Sequence, residues 1–298
     1  MQPLYLKTYK ESKLKEKIKI LNEMLSRCTL CPRRCKVNRL KGEKGFCHAV
    51  KEAKVSSVFA HFGEEACLVG RFGSGTIFFS HCNLRCVFCQ NYEISHLEEG
   101  ELVSKDKLSD YMLGLQSIGC HNINLVTPTH FVPQILEALE VAIENGLNLP
   151  LVYNCGGYES EEVIEILDGI IDIYMPDVKF SSEAVSEKFC HAKDYFKNLK
   201  KVLKIMHKQV GDLKIENGIA QRGLIIRHLV MPEGLAGTKE IMEFIAKEIS
   251  QDSYINIMAQ YRPCGQAYKF PEINRKINSD EYEKAKEIAR SFGLYRFD

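Results

Sequence analysis

The sequence predicts an α/β fold: an incomplete (β/α)6 barrel of the TIM type with an N-terminal cysteine-rich extension. Two observations predict it. Apolar, β-branched runs at 76–79, 122–127, 149–154, 171–177, 224–231 and 254–260 have the length of buried parallel strands. Helical patterns alternate with them, at about 104–118, 132–145, 160–168, 182–207, 238–250 and 279–292. Such repeats imply a parallel sheet with right-handed crossovers. Six units are too few for a closed eight-unit barrel. A partial barrel fits better than a flat doubly wound sheet, though the strand pattern alone does not separate them.

Taken in order, the chain begins with a helix over 11–26. Leu14, Ile18, Leu21 and Leu25 fall on one face, while Lys13, Lys15, Lys17 and Lys19 lie around the rest. This reads as a packed helix with a solvated basic side; the alternative is a nucleic-acid arm. A stretch without periodicity follows over 28–47. Gly73-Ser74-Gly75 leads into the first strand. Ser160 before Glu161 and Glu162, and Ser279 before Asp280 and Glu281, read as N-caps with acids set against the helix dipole. Gly119 and Gly146 stand where helix C-termini want a left-handed residue. The expected division is 1–70, helix and cysteine-rich extension, and 71–298, the barrel.

Bulk properties exclude some classes. With 298 residues, 45% of them hydrophobic, the chain can bury a sizeable core. Its 40 basic and 39 acidic residues leave a net charge of +1, which gives no bulk attraction for nucleic acid or anionic membrane. No run approaches the roughly 18 apolar residues of a membrane span. Residues 1–27 are lysine-rich and lack the apolar stretch of a secretory signal, so a cytoplasmic location is expected. Thiols stay reduced there, so the 12 cysteines point to metal binding or catalysis rather than disulfides. Cys67, Cys120, Cys155, Cys190 and Cys264 are scattered and read as buried small hydrophobes. The other seven form two groups.

In parallel α/β folds, chemistry gathers at the C-terminal ends of the strands. Polar outliers do end or follow the apolar runs: Thr127-Pro128-Thr129-His130, Asn154-Cys155-Gly156-Gly157, Asp177-Val178-Lys179 and Gln260-Tyr261-Arg262. After the first strand come Cys82, Cys86 and Cys89, spaced C-x3-C-x2-C. Thiolates suit zinc or iron–sulfur clusters. A closed zinc site wants a fourth protein ligand, and His81 is too near in sequence to serve beside Cys82. Three thiolates on a four-iron cluster leave one iron open to a substrate or cofactor.

This motif, with Phe88 as its aromatic residue, resembles the signature of the radical S-adenosylmethionine (radical SAM) superfamily. The run from Gly63 through Asn91, the early Cys28-Thr-Leu-Cys31-Pro-Arg-Arg-Cys35 and the late Asn256-Ile-Met-Ala-Gln260-Tyr-Arg-Pro263 resemble the PflX group, relatives of pyruvate formate-lyase activating enzyme. The resemblance implies a 4Fe–4S cluster on Cys82, Cys86 and Cys89. S-adenosylmethionine would chelate the open iron, and its reductive cleavage would give a 5′-deoxyadenosyl radical that abstracts hydrogen. Thr127 and Thr129 occupy the place of a Gly-Gly-Glu-like stretch that meets the methionine amino group. The glutamate is missing, so that contact falls to hydroxyls and backbone. Asn154 stands in a turn that carries aspartate in activating enzymes, which weakens the case for a monovalent cation there. Asp177 and Lys179 resemble a Met-x-Asp-x-Lys stretch lining the cofactor site, and Arg227 matches an arginine that approaches it. The alternative for Thr127 and Thr129 is a polar strand end, for Asp177 and Lys179 a salt-bridged strand end, and for Arg227 pairing with a neighbouring carboxylate.

The first cysteine group, Cys28, Cys31, Cys35 and Cys47, can complete a zinc site or a second iron–sulfur cluster able to relay electrons; the alternative is a cysteine-rich loop with no metal. Arg33, Arg34, Arg39 and Lys41 would offset the thiolate charge. Three functions compete: an activating enzyme served by an electron donor such as flavodoxin or ferredoxin and acting on a glycyl radical enzyme; a radical SAM enzyme modifying a small molecule, peptide or RNA; and a non-enzymatic zinc module that binds a partner.

Overall fold

Strands whose residues are buried without alternation must be covered on both faces, and the middle strands of this chain are of that kind. The computed structural model describes residues 1–298. It contains β1 (Ala53–His61), β2 (Ser74–Phe79), β3 (Glu101–Val103), β4 (Ile123–Val126), β5 (Leu151–Cys155), β6 (Ile173–Pro176), β7 (Lys214–Glu216), β8 (Ile219–Leu229), β9 (Tyr254–Met258) and β10 (Arg296–Phe297). Every residue of β4, β5 and β6 is buried.

Among the parallel strands pairing follows chain order. The sheet runs β10-β9-β8-β6-β5-β4-β2-β1-β3, with β7 on the side of β8. From β2 through β4, β5, β6, β8 and β9 to β10 every pairing is parallel. A doubly wound sheet reverses its strand order at a switch point, and the parallel strands from β2 to β10 keep a single direction of order. Right-handed crossovers therefore carry the connecting helices to one face, as in a segment of a barrel. The path ends at β3 and β10 and does not close. The result is a mixed α/β fold with a mostly parallel sheet, consistent with a partial barrel.

The structure adds elements with weak sequence patterns. β1 pairs antiparallel with both β2 and β3, and so joins the 1–70 segment to the sheet. A short helix, Leu4–Lys10, precedes the expected one, which runs Lys13–Glu23. Leu14, Leu21 and Leu25 are buried in the same core as Leu136 and Ile164. Lys17 donates to the Ile166 carbonyl at 2.6 Å, while Lys13, Lys15 and Lys19 face solvent.

Three expectations need correction. The helical pattern over 182–207 is two helices, Glu183–Cys190 and Tyr195–Val210, parted where His191 turns left-handed. Ser160 precedes its helix but makes no side-chain cap; its hydroxyl is buried without a partner. Asn278, not Ser279, caps the last helix: its side chain accepts from the Glu281 amide at 2.8 Å, and Glu281 accepts from the Asn278 amide at 2.9 Å.

Candidate cluster and cofactor site

β2 delivers the chain to the loop that carries Cys82, Cys86 and Cys89. His81 and Arg85 adopt left-handed backbone, with φ of 72° and 50°, and these bends wind the loop around its own thiols. Leu84 N–H donates to Cys82 Sγ at 3.3 Å, and Ser95 Oγ donates to Cys89 Sγ at 3.2 Å. Cys86 Sγ lies 3.1 Å from the sulfur of Cys190, the last residue of the Glu183–Cys190 helix.

The three cysteines line a cavity of about 320 Å³ at the C-terminal ends of the parallel strands. Phe88, Thr127, Asn154, Asp177, Lys179 and Arg227 line the same cavity. Thr129 does not. It is fully buried, and its hydroxyl donates to Glu159 Oε1 at 2.8 Å. Thr127 has a φ of 60°, a strained backbone for a β-branched residue, which costs about 1–3 kcal/mol. Its amide is fixed by the Asn154 carbonyl at 2.8 Å.

The thiol set fits an iron–sulfur cluster. No three Cys, His, Asp or Glu side chains draw close enough to share one ion, whereas a four-iron cube distributes its ligands over separate corners. Burial, reinforced by Cys86 and Cys89, pushes the Cys82 thiol up to about 12, and burial pushes Cys89 up to about 11. Such thiols ionise when a metal centre supplies the opposing charge.

Opposite the thiols lies an ion network. Asp177 accepts from Arg227 Nε at 2.8 Å through one oxygen and from Lys179 Nζ at 2.6 Å through the other. Burial alone would raise the Asp177 carboxyl; Arg227 and Lys179 hold it below its ordinary range. Arg227 also donates to Asn154 Oδ1 at 2.6 Å and lies 3.5 Å from Glu64. Asn154 thus serves the arginine. Burial pushes Glu64 up to about 7, against the pull of Arg227.

Two strand ends are held together from outside. The Tyr195 hydroxyl accepts from the Lys179 amide at 3.1 Å and shares its proton between the carbonyls of Gly156, 2.9 Å, and Asp177, 2.6 Å. Gly157 has a φ of +79°, and a Cβ there would lie 2.5 Å from the Asp177 carbonyl oxygen, so only glycine fits this turn.

Residues 76–245, more than half the chain, match the family model of the Radical SAM superfamily. The chain belongs to the radical SAM superfamily. The chain is 34% identical over 295 residues to the uncharacterized protein MJ0674 of Methanocaldococcus jannaschii, covering 97% of this chain and 82% of that protein. It is 26% identical over 188 residues to a second protein of that organism, the uncharacterized protein MJ0808, covering 58% and 54%. As a radical SAM enzyme, the chain cleaves S-adenosylmethionine at a 4Fe–4S cluster; this sets aside the non-enzymatic zinc module. No helix is long and apolar enough to cross a membrane.

Three residues of this radical SAM site were not singled out by the sequence. Glu64 stood unremarked within the early run, and its place on the cavity wall comes from the turn after β1. Cys155 and Cys190 are buried, as expected of the scattered cysteines, but Cys155 reaches the cavity wall and the Cys190 sulfur touches that of Cys86. The four early cysteines are also brought together, around a separate small cavity.

Proposed function

We propose that this radical SAM enzyme abstracts hydrogen from a segment of a partner protein, in the manner of an activating enzyme that installs a glycyl radical. The rim of the cavity carries this reading. Phe78 lines the cavity, and Phe59 stacks on it with ring centroids 5.5 Å apart. Phe59 and Phe62 are exposed. Exposed aromatic side chains of this kind are the usual anchors of protein interfaces. At about 320 Å³ the cavity is at the small end for ligand sites. A substrate segment reaching in across the aromatic rim suits a cavity of this size that must also take cluster and cofactor.

In this reading Cys82, Cys86 and Cys89 hold the cluster. Bound there, cluster and S-adenosylmethionine supply one-electron cleavage of the sulfonium carbon–sulfur bond. The residues of the chain orient that cofactor: Thr127 and Glu64 offer oxygens to its ammonium group, and Lys179 and Arg227 offer positive charge to its carboxylate. The likeness of the early cysteine run and of residues 256–263 to the PflX group supports an activating role. A flavodoxin or ferredoxin supplies the electron.

The test mixes the anaerobically reconstituted enzyme, S-adenosylmethionine, reductant and candidate glycyl radical enzymes. The expected result is a glycyl-radical signal on one partner, lost with Cys86→Ala. Hydrogen transfer to a small molecule, with none to any protein, would contradict the proposal.

A further inference from the structure

The early cysteines take no part in the site after β2, yet the chain wraps them around one point. Cys28, Cys31, Cys35 and Cys47 line a single small cavity of about 10 Å³. Backbone hydrogen bonds close the loop on itself, Cys28 N–H to the Val37 carbonyl at 2.9 Å and Arg34 N–H to the Cys31 carbonyl at 3.0 Å. Phe46 N–H donates to Cys35 Sγ at 3.4 Å. Gly45 is pressed against the cage: a Cβ would lie 2.7 Å from Cys35 Cβ and 2.8 Å from its sulfur.

Charge shows what the cage holds. Arg39 lines it and is only 1% exposed. Its guanidinium donates to the Val50 carbonyl at 3.0 Å and the His130 carbonyl at 2.6 Å, and it forms no ion pair with any carboxylate. A buried cation demands a negative partner. Four sulfurs ionised on a metal centre supply it.

Ligand spacing decides between centres. In a tetrahedral zinc site all four sulfurs sit about 2.3 Å from one ion. Here no three ligating side chains draw close enough to share one ion, whereas a cluster spreads its ligands over several metal atoms. We propose that Cys28, Cys31, Cys35 and Cys47 hold a second iron–sulfur cluster with all four ligands from the protein. Its irons are closed to S-adenosylmethionine, so its role is electron transfer.

Arg33 joins the two loops. Its Nε donates to the Asn83 carbonyl at 2.9 Å, beside Cys82, and Nη2 donates to the Cys190 carbonyl at 3.1 Å. The guanidinium stacks on Phe46 at 3.9 Å. A low-potential one-electron carrier gives an electron to the second cluster, which returns to its oxidised state as the cluster after β2 is reduced. No proton or bond changes hands. The inference does not depend on the identity of the substrate.

The test uses the full chain with Cys82, Cys86 and Cys89 all replaced by Ala, reconstituted anaerobically with iron and sulfide. Bound iron accompanied by acid-labile sulfide in matching amount, with a reduced-state electron paramagnetic resonance signal that S-adenosylmethionine does not shift, is the expected result. Zinc, iron without sulfide, or no metal would overturn the proposal. If that variant does not fold, Cys31→Ser in the otherwise unaltered chain provides the second measurement. Iron and sulfide per chain should fall while the S-adenosylmethionine-sensitive signal stays; an unchanged metal content would refute a cluster there.

Discussion

Cys190 illustrates what single residues contribute and what a linear reading misses. It lies 104 positions from Cys86, and no spacing rule connects them, yet their sulfurs touch. Cys82, Cys86 and Cys89 were legible because one short loop carries all three. An S–H donor beside a ligating thiolate stabilises the reduced, more negative cluster. Cys190→Ala should therefore lower the midpoint potential of the cluster in a redox titration, and Cys190→Ser should restore most of the loss. Equal potentials in all three proteins would remove Cys190 from the site. Glu159 carries a second prediction. Burial raises its carboxyl from 4.5 to about 7, although Thr129 and Tyr153 donate to it. Between those values the folded chain keeps a proton that the unfolded chain has released, so stability falls as pH rises through that window. Urea midpoints at pH 5 and pH 8 should differ less for Glu159→Gln than for the unaltered enzyme; an equal drop would show that Glu159 does not titrate there. Thr129 was misread for a related reason: sequence pattern places a residue near a strand end but not on one side of it.

At the scale of elements, the helix Tyr195–Val210 serves the site through one side chain. Tyr195 binds the ends of β5 and β6 to each other. Tyr195→Phe leaves the Lys179 amide and two carbonyls without their partner, which costs about 2–4 kcal/mol from net values of roughly 1 kcal/mol per bond plus the orphaned groups. The urea midpoint should fall with an unchanged m-value, and the affinity for S-adenosylmethionine should fall with it. A loss within about 0.5 kcal/mol, the scale of ordinary surface changes, would mean that the strand ends hold their positions unaided. Six of the seven parallel strands were legible as apolar runs, most plainly β4, β5 and β6, where continuous burial demands them; β10 has only two residues. β1 was not legible: its residues are mostly half-buried or exposed, and β3 has only three residues. The caps were misplaced because a serine before acids satisfies the rule in sequence, whereas the bond needs the side chain of Asn278 or finds none at Ser160.

Across the whole molecule, the single direction of order kept by the parallel strands gathers their ends around one cavity, and the polar residues ending those strands meet there. That convergence was legible in outline, since each apolar run was followed by polar residues. The pairing of Asp177 with Lys179 and Arg227 was legible only as the alternative to a cofactor role, and that Asp177 is the shared partner was not, because β8 meets β6 only in the fold. The central claim is that a cluster on Cys82, Cys86 and Cys89 keeps one iron for the cofactor. Electron–nuclear double resonance on the reduced enzyme, with S-adenosylmethionine labelled by oxygen-17 in its carboxylate, tests it most directly. A strong hyperfine coupling to the label, absent from Cys86→Ala, is the predicted result. No coupling in the unaltered enzyme, or one that survives the loss of Cys86, would contradict it.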